Sequence, residues 1–255
     1  MELALETHGL RKVFGDLAAV DGIDLAVPRG SFYGFLGPNG AGKSTTIKCL
    51  TGLLRPSGGS ARILGLDPLA DPVEVKRKIG VVPEDLALFD RLSGAETLSF
   101  IGQVHGLPAS VLRSRCSELL ELMGLAQAAG DLVADYSHGM RKKLALAAAL
   151  ISSPRLLFLD EPFEGIDAVA SRQIKELLSR FVRGGGTVFL TSHILEIVER
   201  FCDHLGVIHR GRLVAQGALS ELKSGVQVGK TLEEIFLDLV GAERALGSAL
   251  EWLGG

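Results

Sequence analysis

A glycine-rich segment directly after a short apolar run constrains this chain more than any other feature. The apolar run covers residues 31–36, and the next eight residues read Gly-Pro-Asn-Gly-Ala-Gly-Lys-Ser. The spacing G-x-x-x-x-G-K-[ST] between a strand and a helix is typical of a phosphate-binding loop. At average residue frequencies, a chain of 255 residues matches this pattern by chance with a probability of about one in a hundred. We therefore predict a nucleotide-binding site here.

Each part of this loop has a physical role in holding a nucleotide. Its glycines let the backbone wrap closely enough to point N–H groups at phosphate oxygens, and the start of the following helix adds positive potential. The Lys43 ammonium suits the β- and γ-phosphates, the Ser44 hydroxyl is a predicted Mg²⁺ ligand, and Thr45 suits the α-phosphate. ATP and Mg²⁺ are therefore the predicted cofactors. The predicted ATP-binding residues of the loop are Gly37, Pro38, Asn39, Gly40, Ala41, Gly42, Lys43, Ser44 and Thr45.

Composition narrows the class of protein. The net charge is −3 and 47% of the residues are hydrophobic, so there is ample material for a core and no electrostatic reason to expect nucleic-acid binding. The three cysteines, Cys49, Cys116 and Cys202, are odd in number and far apart. That usage suits a reducing compartment and argues against a metal cluster.

The sequence gives no sign of a membrane span. Residues 1–9 lack the basic start and apolar run of a signal peptide. The longest apolar stretch, residues 144–151, is far shorter than the roughly 20 residues that a spanning helix needs. We expect a cytoplasmic protein, and any membrane-spanning part of its machinery must belong to another chain.

Hydrophobic periodicity predicts an α/β fold. Short runs at residues 3–10, 18–26 and 31–36, broken by glycines, predict strands with tight turns. Apolar residues recur at helical spacing between 93 and 152. Later apolar runs at 156–159, 187–190 and 205–208 are typical of buried parallel strands, and residues 232–240 predict an amphipathic helix. The predicted architecture is a phosphate-loop NTPase core with a parallel sheet, an antiparallel N-terminal β-subdomain and a helical insertion.

Two adjacent acids end one of these predicted strands. Asp160 and Glu161 follow Leu-Leu-Phe-Leu, and ligands bind at the carboxyl ends of strands in open α/β sheets. We predict that Asp160 holds Mg²⁺, through water, and that Glu161 polarises the attacking water as a general base. The alternative is a pair of solvated acids at a strand end.

Taken in order, six motifs resemble the ATP-binding cassette family over nearly the whole chain. Between the phosphate loop and the paired acids lies Tyr-Ser-His-Gly-Met-Arg at residues 136–141, which is similar to the family signature Leu-Ser-Gly-Gly-Gln. Asp167 lies in Gly-Ile-Asp, which resembles the family's dimer loop, and His193 lies in Thr-Ser-His, which resembles its switch loop. Phe14 matches the aromatic residue that stacks on adenine. The resemblance implies one ATPase domain over residues 1–255: a β-subdomain and α/β core at 1–90 and 153–218, a helical subdomain at 91–152 and a helical extension at 219–255.

The resemblance also implies how the motifs act. Two subunits are expected to associate head to tail, so that the signature of one meets the γ-phosphate bound by the other. His193 is expected to contact the γ-phosphate and the attacking water, which makes Lys43, Glu161 and His193 the predicted catalytic set. Ordinary alternatives are a helix cap for Ser137, a core position for Phe14 and a helix start for His193. The predicted in-trans signature residues are Ser137, His138, Gly139 and Met140.

Departures from the family pattern point to a subfamily. Glu84 stands where most cassettes have a glutamine that contacts Mg²⁺, so it is the third predicted metal ligand after Ser44 and Asp160. His138 replaces a glycine and Met140 a glutamine. These forms, with the ending Thr-Leu-Glu-Glu-Ile-Phe-Leu at 231–237, resemble ABC-2 type exporters.

The leading hypothesis is therefore the ATPase subunit of such an exporter. It predicts a homodimer, or a pair with a similar ATPase, that lies on the inner face of the cell membrane against a permease on a separate chain. Leu86, Leu88 and Phe89 are expected to meet that permease, or else to belong to the core, and residues 242–255 to pack on their own domain or on a partner. One alternative function is a soluble cassette acting on ribosomes or DNA. Another is a nucleotide-binding regulator without turnover.

Overall fold

The computed structural model describes residues 2–225 and 232–240, and its N-terminal part is a four-stranded antiparallel sheet. The strands are β1 (Leu3–Phe14), β2 (Leu17–Ile23), β3 (Ala26–Pro28) and β5 (Gly58–Ile63). The long strand β1 pairs with the other three. The predicted antiparallel N-terminal part is thus present.

A second sheet of six strands forms the centre of the molecule. In spatial order it contains β10 (Arg212–Ala218), β9 (His204–His209), β4 (Phe32–Leu36), β8 (Thr187–Ser192), β7 (Leu156–Asp160) and β6 (Ile79–Val82). All neighbours are parallel except β10, which runs antiparallel to β9. Every residue of β4, β7 and β8 is buried, which explains their unbroken apolar character. Because β8 lies between β4 and β7, the loops that follow these three strands open at the same edge.

Nine helices accompany the two sheets in the described residues. They are α1 (Lys43–Leu50), α2 (Pro72–Lys78), α3 (Gly94–Val104), α4 (Ala109–Leu122), α5 (His138–Leu150), α6 (Ala168–Arg183), α7 (Leu195–Phe201), α8 (Leu219–Gly225) and α9 (Leu232–Val240). Helices α3 to α5, with two short 3₁₀ turns, form the insertion that the sequence predicts. The fold class is confirmed, whereas the subdomain boundaries stay predictions. Within the described ranges, no helix combines the length and apolar character that crossing a bilayer requires.

The first strands differ from the prediction in two respects. The predicted run ends at residue 10, whereas β1 continues to Phe14; Gly9 within it adopts φ 57°, and its amide donates to Asp24 Oδ1 at 2.6 Å. The pairing with β2 then shifts register after Leu10, so the irregularity is absorbed as a bulge. In contrast, the run at 18–26 is two strands rather than one. The regular pairing with β1 is interrupted between them, where the Leu25 amide donates to Thr7 Oγ1 while the Leu25 carbonyl accepts the Thr7 amide.

Near the C-terminus, the predicted amphipathic helix is present as α9, and its first residue, Leu232, is buried. Thr231 of the exporter-like ending lies outside the described residues, as does the segment 242–255 with its predicted packing surface.

Candidate nucleotide-binding site

The phosphate loop connects β4 to α1, and its glycines are required by close backbone approaches. A Cβ atom on Gly37 would lie 2.4 Å from the carbonyl oxygen of Ile208, and one on Gly42 2.3 Å from that of Ala19. Gly42 also has φ 109°, which disfavours any L side chain. The loop is therefore held against β9 and β2 by contacts that only glycine permits.

A cavity of about 520 Å³ opens in front of this loop, a volume suited to a small ligand. Phe14 lies on its wall with 46% of its surface exposed, so its alternative role as a core residue is wrong. The Lys12 ammonium lies 5.0 Å from the centre of its ring. Glu84 and Glu161 lie on other walls of the same cavity. The residues that line it from the loop are Asn39, Gly40, Ala41, Gly42, Lys43, Ser44 and Thr45.

Two of the predicted residues, Lys43 and His193, converge on the carboxylate of a third, Glu161. Glu161 is buried, with Oε2 lying 3.1 Å from His193 Nδ1 and Oε1 3.5 Å from Lys43 Nζ. Lys43 is itself buried, and its ammonium donates to the carbonyl of Gly37 at 2.8 Å. Glu161 Oε1 accepts no hydrogen bond from any described residue. A buried carboxylate oxygen with spare acceptor capacity is what a general base presents to a water molecule.

Thr191 on β8 positions both acids, a role that the sequence analysis did not assign. Its hydroxyl donates to Asp160 Oδ1 at 2.6 Å and accepts the Glu161 amide at 3.0 Å. Thr191 pairs with Asp160 across the parallel strands β7 and β8. The signal available in the sequence was its place at the end of an apolar run, two residues before His193.

Ser44, Glu84 and Asp160 are the predicted Mg²⁺ ligands, and two of them lie side by side. The Ser44 hydroxyl donates to Glu84 Oε2 at 3.4 Å, while Asp160 stands at the end of β7 on the same sheet edge. Within residues 2–225 and 232–240, no three acids, histidines or cysteines form a metal cluster. Mg²⁺ in nucleotide sites takes few protein ligands and fills its remaining positions with phosphate and water, so this sparse oxygen set fits the ion.

The signature residues form the first turn of α5. Ser137 caps that helix by accepting the Met140 amide at 3.3 Å, which is the helix-cap role given above as the alternative. Its side chain is nevertheless exposed. The His138 ring lies against Gly165, where an added Cβ would be 3.1 Å from two ring atoms. Asp167 caps α6 by accepting the Ala170 amide at 2.8 Å, and this bond lowers the pKa of Asp167.

Lys142 is a further residue near the site that the sequence analysis did not single out. It is buried, and its ammonium donates to the backbone carbonyls of Glu161, at 3.0 Å, and of Glu164. In the sequence it belongs to a short basic cluster, residues 141–143, which has the pattern of a solvated surface.

Comparison with known proteins identifies the family. The family model described as ABC transporter matches residues 20–164, which is more than half of the chain. The chain belongs to the ABC transporter family. The predicted resemblance is thus confirmed, and with it the assignment as an ATP-binding subunit that hydrolyses ATP in a transporter.

Individual members of the ABC transporter family match over most of the chain. The daunorubicin/doxorubicin resistance ATP-binding protein DrrA of Streptomyces peucetius is 44% identical over 223 residues, which are 88% of this chain and 68% of DrrA. The linearmycin resistance ATP-binding protein LnrL of Bacillus subtilis is 37% identical over 220 residues, 86% of this chain and 71% of LnrL. A solved ATP-binding subunit of an ABC transporter superposes with a TM-score of 0.87 at 30% identity, covering 93% of this chain and 99% of that chain. These likenesses extend the family assignment beyond the matched segment.

Proposed function

We propose that this chain is the ATPase subunit of an ABC-2 type exporter, and that it works as a head-to-tail dimer with Mg·ATP at the interface. The observation that carries the proposal is the convergence of Lys43 and His193 on the buried carboxylate of Glu161, beside a phosphate loop. Binding of ATP closes the dimer, and hydrolysis opens it.

ATP occupies the cavity in front of the phosphate loop. Phe14 stacks on the adenine, and backbone N–H groups of the loop bind phosphate oxygens while the Lys43 ammonium takes the β- and γ-phosphates. Ser44, Glu84 and Asp160 would hold Mg²⁺, which when bound neutralises phosphate charge. Glu84 adds a negative charge where a glutamine is usual in the family.

Glu161 acts as the general base for hydrolysis. Its Oε1, which lacks a hydrogen bond from the described residues, takes the proton of the attacking water. His193, bound to Oε2 of the same carboxylate, orients Glu161 and contacts the γ-phosphate. The proton therefore moves to a carboxylate that is itself buried.

The signature completes the active site of a second copy. Residues 137–140 open a 13-residue helix, and backbone N–H groups at a helix N-terminus favour an anion. Ser137 and His138 are exposed, which leaves this turn free to meet a nucleotide bound by another subunit. Asp167, at the start of α6, belongs to the same interface.

The permease is proposed to dock in a groove between the central sheet and the helical insertion. This groove has a volume of about 360 Å³ and is lined by Pro83, Leu86, Leu88 and Ile101 among others. Leu86 and Leu88 pack partly against the core, so both earlier interpretations apply to them. Phe89 is 50% exposed and meets Phe100 edge-on at 5.2 Å. Short cytoplasmic helices of the permease would cover these rings and hold the chain at the inner face of the membrane.

The export assignment rests on relatives and on the variant motifs. DrrA and LnrL are named as resistance ATP-binding proteins, and each aligns with more than four fifths of this chain. The alternative is a soluble cassette acting on ribosomes or DNA. The net charge of −3 does not support it, because nucleic-acid binding depends on positively charged side chains. A regulator without turnover is disfavoured because Asp160, Glu161 and His193 are all present.

The test compares ATP hydrolysis by the wild type and by Glu161→Gln. We expect turnover to fall by about 100-fold or more, the usual effect of losing a general base, while ATP binding persists. Glu176→Gln, an exposed glutamate on α6 paired with Arg180, is the matched control and should retain full turnover. Unchanged turnover in Glu161→Gln would refute the assignment of the base. Copurification with a coexpressed ABC-2 type permease tests the transport role, and strong nucleic-acid retention at physiological salt would favour the alternative.

A further inference from the structure

Helix α5 links two parts of the proposed site. Its first turn carries the signature, whereas its buried face lies against the segment 161–165 that follows β7. Two side chains of α5 contact that segment: the His138 ring lies against Gly165, and the Lys142 ammonium binds the carbonyls of Glu161 and Glu164. Because positions four residues apart share a helix face, the two contacts act side by side.

The burial of Lys142 calls for a physical reason. An ammonium group loses solvation when it is buried, and it is retained only where hydrogen bonds and charges compensate. Burial lowers the pKa of Lys142, while the carboxylates of Glu164, Glu161 and Glu84 raise it. Two of the three N–H donors of the ammonium are used by backbone carbonyls of one turn. The side chain thus fixes that turn.

The turn that Lys142 fixes contains a strained residue. Glu161 has φ 48°, a left-handed conformation that L residues adopt only where their surroundings hold them. Its amide donates to Thr191 Oγ1 at 3.0 Å, and its carbonyl accepts from Lys142 Nζ at 3.0 Å. The backbone of the proposed general base is therefore held on both sides by side chains.

We propose that Lys142 is a positioning residue for hydrolysis, which fixes the backbone of Glu161 from the signature helix of the same subunit. The inference rests on the proposed function. Since α5 begins with the residues that meet the partner's nucleotide, a displacement of this helix moves the carbonyl of Glu161 through Lys142. The engagement of one nucleotide is thereby coupled to the alignment of the base at the other.

The decisive experiment separates hydrolysis from ATP binding and dimer formation in the purified full-length chain. Lys142→Met removes the donors but keeps an unbranched side chain, Lys142→Arg keeps them, and Lys48→Met changes an exposed lysine of α1 as the control. We expect Lys142→Met to lower kcat at least tenfold while KM for ATP and the ATP concentration for dimerisation stay within threefold. Lys142→Arg should recover much of kcat, and Lys48→Met should match the wild type.

The proposal is overturned if Lys142→Met keeps the kcat of the wild type, or if Lys142→Arg is as slow as Lys142→Met. It is also overturned if loss of ATP binding accounts for the whole loss of activity. If Lys142→Met unfolds below the assay temperature, Lys142→Gln, which has a shorter neutral side chain, replaces it. The expected result is the same: a lower kcat with KM for ATP and dimerisation within threefold of the wild type. Failure of the proposed function is distinguishable, because the wild type itself would then lack ATP-dependent turnover.

Discussion

Lys43 Nζ lies 3.5 Å from Glu161 Oε1, and both side chains are buried. The chain thus joins its phosphate-binding cation and its proposed general base in one ion pair. A γ-phosphate that binds Lys43 competes for the same ammonium. In the proposed mechanism, entry of ATP would therefore free Glu161 Oε1 to accept the proton of the attacking water.

The first prediction concerns this pair. Lys43→Met leaves the Glu161 carboxylate buried without its countercharge, which should cost about 3 kcal/mol of unfolding free energy and abolish tight ATP binding. The double variant Lys43→Met/Glu161→Gln should regain most of that stability, because it removes the unpaired charge. Chemical denaturation of the two variants and of the wild type measures both effects. A loss below about 1 kcal/mol, the level of an exposed pair, would contradict a buried ion pair.

The second prediction concerns Thr191, whose hydroxyl bonds both Asp160 and the Glu161 amide. Thr191→Val should lower stability by about 2 kcal/mol and reduce kcat, since Glu161 loses one of its two backbone supports. Thr191→Ser retains the hydroxyl and should keep most of kcat. Thr51→Val is the matched control, because the buried Thr51 hydroxyl bonds only helix carbonyls. That variant should lose stability but keep the turnover of its folded fraction.

A third prediction tests how closely α5 packs on the sheet. A Cβ atom on Gly80 of β6 would lie 2.3 Å from the carbonyl oxygen of Ala149 and 2.7 Å from Leu157 Cδ2. Gly80→Ala should therefore destabilise the protein by about 2 kcal/mol, as overpacking does, and lower its melting temperature. Gly130→Ala adds the same methyl group where nothing lies within 4 Å, so it should leave the melting temperature close to that of the wild type.

The fourth prediction concerns the start of α3 and its pH dependence. Ser93 and Glu96 form a capping box, in which the backbone amide and hydroxyl of Ser93 lower the pKa of Glu96. A carboxyl group whose pKa is lowered by folding stabilises the folded state at pH values above its unfolded pKa. That contribution is lost as the pH falls below about 4. Ser93→Ala should cost about 1 kcal/mol at pH 7, and its difference from the wild type should narrow in acid.

Denaturation curves at pH 7 and below pH 4 check this narrowing. Ser114→Ala, an exposed serine inside α4 that bonds Glu118, is the control and should show little change at either pH. A difference between Ser93→Ala and the wild type that stays constant with pH would mean that the hydrogen bond from the Ser93 hydroxyl to the Glu96 carboxylate contributes nothing to stability.

The sequence was sufficient for much of the site because of how parallel sheets are built. The phosphate loop is contiguous, so its motif carries its own geometry. Glu161 and His193 come from separate segments, but each follows an apolar strand, and the carboxyl ends of parallel strands share one edge. The sequence therefore predicts that Glu161 and His193 lie at the same edge of the sheet. It does not predict that β7 and β8 are adjacent strands, which is what brings the two side chains into contact.

Other features depend on contacts that no local pattern encodes. The continuation of β1 through Gly9 follows from the bond to Asp24, fifteen residues away. Lys142 belongs to a basic cluster, and nothing in its neighbours reveals that one of three cations is buried on the carbonyl of Glu161. The left-handed backbone of Glu161 is likewise bonded by two residues that are distant in sequence, Thr191 and Lys142.

The contact between His138 and Gly165 also limits which amino-acid substitutions this cassette can accept during evolution. A methyl group at position 165 would lie 3.1 Å from the imidazole, and the φ of 67° there already disfavours one. A larger residue at 165 therefore requires the exposed ring of His138 to shift or to be replaced by a smaller side chain. The two positions, 27 residues apart, are thus sterically linked, so a substitution at one changes what the other tolerates.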